Sequence, residues 1–159
     1  MTLDYFTSLL SQVRSGPAAQ RLIFIWAGHR TALESYLFGF DIHRCDPVSA
    51  YSEAKAGSGD HRQVLNGWLS RVCKEYEDDR KEPSVLLTDQ ALLLIRYGCD
   101  MSAYFRHVIS PRSAAILIVP NPSHRQLPLR AEAWVKNNTP ALLTQLANQL
   151  GEPDCLIQT

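Results

Sequence analysis

The sequence predicts an α/β fold, a three-layer sandwich around a mostly parallel central sheet of about five strands. Two observations predict it. Short apolar runs, among them "RLIFIWAG", "SVLLTD" and "AAILIVP", are continuous rather than alternating, as strands buried on both faces are. Between them lie segments whose apolar residues recur at three- and four-residue steps, the pattern of crossover helices joining parallel strands.

The elements follow in chain order. Residues 1–18 read as an amphipathic helix with Leu3, Phe6, Leu9, Leu10 and Val13 near one face. "RLIFIWAG" is the first strand, Thr31 to Phe38 a short helix, and "FDIHRCD" (Phe40 to Asp46) the second strand. A helix from Asp60 to Tyr76 carries Val64, Leu65, Trp68, Leu69, Val72 and Tyr76, with Asp60 at its N-cap. "PSVLLTD" (Pro83 to Asp89) is the third strand. A helical region broken at "GCD" leads to the fourth, "AAILIVP" (Ala114 to Pro120). "RAEAWVKN" (Arg130 to Asn138) is a weaker fifth. Residues 139–150 form a closing helix, with Thr139 as cap, Pro140 in the first turn and Gly151 at its end. "KAGSGDH" and "PNPSHRQLP" read as loops. The 159 residues are expected to form a single domain, 1–159.

Composition narrows the function. Sixteen basic and sixteen acidic residues cancel, which argues against a generally basic nucleic-acid binder and weakens the long-range repulsion that opposes self-association. No apolar run approaches the roughly 20 residues that cross a bilayer. The N-terminus, with Asp4 early, lacks the pattern of a signal peptide, so a cytoplasmic protein is expected. Of the cysteines, Cys45, Cys73, Cys99 and Cys155, none forms a C-x-x-C pair. His43 and Cys45 would share a strand face as half of a metal site; the plainer reading is small residues in a reducing compartment, and no metal is expected.

Three polar features fall at the carboxyl ends of predicted strands, where open α/β sheets bind ligands. They are Gly28, His29, Arg30 and Thr31 after the first strand, Asp89 after the third and Asn121 after the fourth. This order resembles the P-loop NTPase family, especially its AAA-like branch, which has a phosphate loop after strand one, a Walker B acid after strand three and a polar sensor after strand four. The resemblance covers approximately Arg21 to Asn121 as topology and hydrophobic pattern. It implies that Arg30 stands for the Walker lysine, Thr31 for the magnesium-holding hydroxyl and His29 for the last glycine. The loop is then about three residues too short and keeps only Gly28. Arginine is bulkier and planar where the family needs a compact point charge, and Gln90 follows Asp89 where a hydrolysing enzyme carries Glu. The site is therefore expected to be vestigial, a degenerate Walker A without catalytic residues or cofactor. Length and layout resemble the small P-loop-like accessory proteins of bacteriophage-exclusion operons.

Plainer readings stand beside these. Asp89 could cap the helix over "QALLLIRY", and "GHRT" could be a tight turn capped by Thr31. The basic residues from Arg96 to Arg130 could form a solvated surface, and Trp26, Trp68 and Trp134 could be core or interface anchors.

The function expected is a non-catalytic accessory subunit of a bacterial complex for phage defence or DNA handling. Its partner contact would be the loop bearing His124, Arg125, Leu127, Leu129 and Arg130, where arginine alternates with apolar anchors. That contact would be a protein partner or a second copy of the chain, with nucleic acid reached only through the assembly and no membrane. One alternative is a small ATPase using ATP and magnesium. Another is a metal-dependent nuclease in which Asp41, Asp46 and Asp89 converge, with Lys55 or His43 nearby.

Overall fold

The structure, a computed structural model, describes residues 1–19, 22–57, 60–119, 141, 144–145, 148 and 156–158. The predicted strand at 130–138, the sensor position Asn121, the partner loop bearing His124, Arg125, Leu127, Leu129 and Arg130, and most of the closing helix lie outside them.

Four principal strands form the sheet: β1 (Ile23–Ala27), β2 (Asp41–Cys45), β3 (Ser84–Thr88) and β4 (Ser113–Val119). A three-residue segment, β5 (Leu156–Gln158), pairs with β1. The spatial order is β2-β3-β4-β1-β5, and every pairing is parallel. The continuous apolar runs are the strands that are buried throughout: β1, β3 and β4 are covered on both faces, whereas β2, at one edge, is only partly covered. Ile23, Ile25, Leu86, Leu87, Ile116 and Ile118 are all buried, as their positions in continuous runs require.

Helices cover both faces. On one side α1 (Leu3–Ser15) inserts Phe6, Leu9, Leu10 and Val13, and α2 (Arg30–Glu34) inserts Leu33, against Phe24, Trp26, Leu87 and Ile116. The Thr2 hydroxyl caps α1 by accepting from the Tyr5 N–H at 3.3 Å. The other side carries α3 (Val48–Ala56), α4 (His61–Asp79), α5 (Leu92–Arg96) and a π-helical segment, Tyr104–Val108. Leu65, Trp68, Leu69, Leu94, Ile95 and Tyr104 pack there on Ile25, Leu86 and Leu117. Asp60 caps α4 as its position predicts, its carboxylate accepting from the Arg62 N–H at 3.0 Å.

Three elements differ from expectation. The helix after β1 spans Arg30–Glu34 and stops well before Phe38, because the chain must turn at Gly39, whose φ of 85° suits glycine, to enter β2. α3 has no counterpart in the elements read from the sequence; it begins where the Asp46 carboxylate accepts from the Val48 N–H at 2.9 Å, and it has no apolar periodicity to announce it. The extra strand seen beside β1 is Leu156–Gln158.

Arginines close several helix ends. Arg112 donates to the carbonyls of Val13 and Arg14 at the end of α1, both at 3.0 Å, and Arg80 donates to Val108 O at 2.8 Å. Part of the basic stretch read from the sequence is thus satisfying carbonyls that helices leave unpaired.

Ile116, at 0% exposure in the central strand, gives the direct check on this architecture. Ile116→Asp should leave no soluble folded protein, since an unpaired carboxylate there costs several kcal/mol. A variant that still unfolds cooperatively would show that β4 is not central.

Candidate functional site

β3, β4 and β1 are neighbours, so the turns after β1 and β3 flank the end of β4. The chain leaves β1 onto the α1–α2 face and leaves β3 onto the α4–α5 face. Such diverging connections open a crevice at the carboxyl edge of a parallel sheet. Gly28, His29, Arg30 and Thr31 stand on one side of it and Asp89 and Gln90 on the other.

Three backbone donors at this edge are already engaged. Gly28 N–H donates to Val119 O at 3.2 Å, and Ala91 N–H donates to Ile118 O at 3.1 Å. Asp89 N–H donates to Cys45 O at 2.9 Å. A phosphate cradle requires such N–H groups turned inward at the anion. The buried Trp26 fixes the turn from below, its indole N–H donating to His29 O at 3.1 Å. His29 occupies the N-cap of α2 without a side-chain cap, and Thr31 is the exposed second residue of that helix rather than its cap.

The side chains at the edge pair with one another. Arg30 Nη1 meets Asp89 Oδ2 at 2.8 Å, so Asp89 is held by the guanidinium across the crevice and does not cap α5, which starts at Leu92 with Ala91 before it. Arg30 also approaches Glu34 at 3.6 Å, and Glu34 accepts from Arg44 on β2. A line of alternating charge, Asp89–Arg30–Glu34–Arg44, therefore runs from the end of β3 over α2 to the sheet's edge. Gln90, at φ 53°, takes the left-handed conformation that lets the chain turn from β3 towards α5.

The acids of the nuclease reading do not converge. Asp41 opens β2 while Asp46 and Asp89 follow the opposite ends of β2 and β3, five residues further on and so roughly 16 Å away along the strand. Asp46 is occupied with capping α3. No group of three or more metal-ligating side chains occurs among the described residues.

His43 and Cys45 do share a face of β2, as strand geometry predicts, but each has another partner. His43 Nε2 lies 2.7 Å from Asp41 Oδ2, and Lys81 N–H also donates to that oxygen at 2.9 Å. The Lys81 amide and then His43 hold the Asp41 carboxyl below its usual range. Cys45 Sγ lies 3.3 Å from Thr88 Oγ1, and burial pushes its thiol up to about 12.

Two buried polar relays were not legible beforehand. Thr88 Oγ1 joins Cys45 to Tyr104 OH at 2.9 Å, and complete burial raises the Tyr104 phenol well above its ordinary value. At the opposite end of the sheet Tyr76 OH bonds to Ser84 Oγ at 2.6 Å and also to Ser113 Oγ. Both relays pair a helix tyrosine with hydroxyls on buried strands, satisfying polar atoms that burial would otherwise penalise. The signal available in sequence was a Ser or Thr inside an apolar strand, at Ser84, Thr88 and Ser113.

A scan against protein-family models finds no match, and a search of curated proteins finds no significant relative.

The buried thiols set a pH dependence. Burial raises Cys45 and Cys73 to about 12 and Cys99 to about 11. In the unfolded chain thiols ionise near pH 8.5. Their folded values are higher, so the stability they favour is present below about pH 8.5 and is lost as pH rises towards the folded values. Unfolding free energy should fall between pH 8 and pH 10, with a limiting slope of about 1.4 kcal/mol per pH unit for each such thiol. Cys73→Ala should be flatter over that window by urea titration; an unchanged slope would remove the thiol from the account.

Proposed function

We propose that this chain is a non-catalytic interaction subunit built on a degenerate P-loop-like domain, serving a bacterial complex in phage defence or DNA handling. The observation that carries the reading is the Arg30–Asp89 ion pair at 2.8 Å. The two side chains that the P-loop resemblance assigns as Walker lysine and Walker B acid are spent on each other. The engaged amides of Gly28, Asp89 and Ala91 support the same reading, as does the single five-residue helix after the turn. Partner contact in this reading falls to the segment with His124, Arg125, Leu127, Leu129 and Arg130, whose mixture of basic and apolar residues suits a protein surface.

A small ATPase is the second reading, and one observation favours it. The Arg30 side chain is 49% exposed, so its ion pair is worth at most about 1 kcal/mol, and a magnesium nucleotide could displace it.

Calorimetry with ATP and GTP in the presence of magnesium separates the two. The interaction-subunit reading expects no saturable binding at micromolar nucleotide and no hydrolysis above background. Micromolar affinity that is lost in Arg30→Ala or Thr31→Ala would overturn it in favour of the ATPase.

A further inference from the structure

β2 is an edge strand, and its backbone is only half used. Asp41 N–H donates to Pro83 O and Cys45 O accepts from Asp89 N–H, both at 2.9 Å. Hydrogen bonding alternates along a strand, so Asp41, His43 and Cys45 face β3, while the N–H and C=O of Ile42 and Arg44 face outward. Nothing among the described residues pairs with that side.

Edge strands are ordinarily guarded by a lysine, a proline, a bulge or an inward charge. Asp41–Cys45 contains neither lysine nor proline, and its register with β3 is unbroken. Its charged side chains already have partners within the chain, Asp41 the His43 ring and the Lys81 amide, and Arg44 the Glu34 carboxylate. Two of the four large apolar residues that stand exposed among the described residues flank this strand. Phe38, at 86% exposure, precedes it and Val48, at 40%, follows it. Phe38 is held in place, because Arg14 Nε donates to its carbonyl at 2.8 Å and Arg14 Nη2 donates to Tyr36 O at 3.0 Å. An exposed aromatic on a braced turn is an anchor rather than a loose tip.

We propose that the β2 edge is a two-fold interface on which a second copy of this chain docks, its β2 antiparallel to the first and centred on His43. A two-fold axis normal to the sheet keeps each side chain on its own face, so residues pair with partners of the same parity. Centring on His43 sets Ile42 against Arg44 of the second copy, and Arg44 against its Ile42. All four outward N–H groups then meet the four outward carbonyls. Centring on Ile42 instead would oppose Arg44 to Phe40, whose N–H is already committed to Leu37 O at 3.2 Å. The chosen register also carries each Phe38 towards the end of the interface where the other copy's Val48 stands. Each sheet becomes half of a continuous one. Near-zero net charge leaves little long-range repulsion to oppose the approach. The interface does not depend on whether nucleotide binds, so its failure and the failure of the functional reading are separate.

The test uses the full chain in sedimentation equilibrium. Wild type should be a monomer–dimer system at high-micromolar concentration. Arg44→Pro removes an outward N–H but no bond to β3, and proline is tolerated at such an edge position. It should be monomeric, whereas Arg44→Ala, which keeps the N–H, should still dimerise. Phe38→Ser, at an exposed position, should weaken the dimer without altering the thermal midpoint measured on the dilute monomer. Register is read separately in a Cys155→Ser background. His43→Cys should form a disulfide-linked dimer on mild oxidation, because directly opposed Cα atoms of a non-hydrogen-bonded pair lie about 4.5 Å apart, within disulfide reach. Ile42→Cys should not. A wild type that stays monomeric, equal dimerisation of Arg44→Pro and Arg44→Ala, or cross-linking through Ile42→Cys instead would overturn the proposal; a monomer that binds only a different protein would do so as well.

Discussion

The end of β4 is the fixed point of this molecule. Its last carbonyls, on Ile118 and Val119, receive the N–H groups of Ala91 and Gly28, so the turns leaving β3 and β1 are both tied to the same strand. β4 can serve this way because it is buried along its whole length between two parallel neighbours. The N–H groups of Gly28 and Ala91 are thereby committed to bonds within the chain.

The charges at the same edge follow the same economy. Arg30 and Asp89 stand on turns that the β3-β4-β1 order brings together, and they neutralise each other rather than facing an empty crevice. The pairing continues through Glu34 to Arg44, so the edge of the sheet nearest α2 carries a chain of matched charge. Elsewhere arginines are used as caps, Arg112 on α1 and Arg80 on the π-helical segment. These four arginines, Arg30, Arg44, Arg80 and Arg112, each have a structural occupation within the chain.

How much of this was readable depended on how local the determinant was. β1, β3 and β4 announce themselves through unbroken apolar runs, and α4 through its periodic face and the Asp60 cap, all set by neighbouring residues. α3 escaped because, among its described side chains, only Ala50 and Tyr51 join the core, too little to make a period. β5 escaped because three residues carry no pattern. For the site, sequence placed Gly28, Arg30, Thr31 and Asp89 at strand ends, and the β1 and β3 ends do lie on one edge. It did not reveal that Arg30 contacts Asp89, since that depends on β4 lying between their strands. The tyrosine relays were hidden for the same reason: Tyr76 and Tyr104 read as helix apolar residues until the hydroxyls beneath them are located.

Closure of the ligand edge by Arg30 and Asp89 is the central claim, and a double-mutant cycle measures it without reference to any ligand. Unfolding free energies of wild type, Arg30→Ala, Asp89→Ala and the double variant would be compared at low and high salt. The pair should show a favourable coupling of about 0.5–1 kcal/mol that shrinks as ionic strength rises. Additive effects of the two substitutions at low salt would contradict it, and would mean that the two side chains stand open at the edge of the sheet.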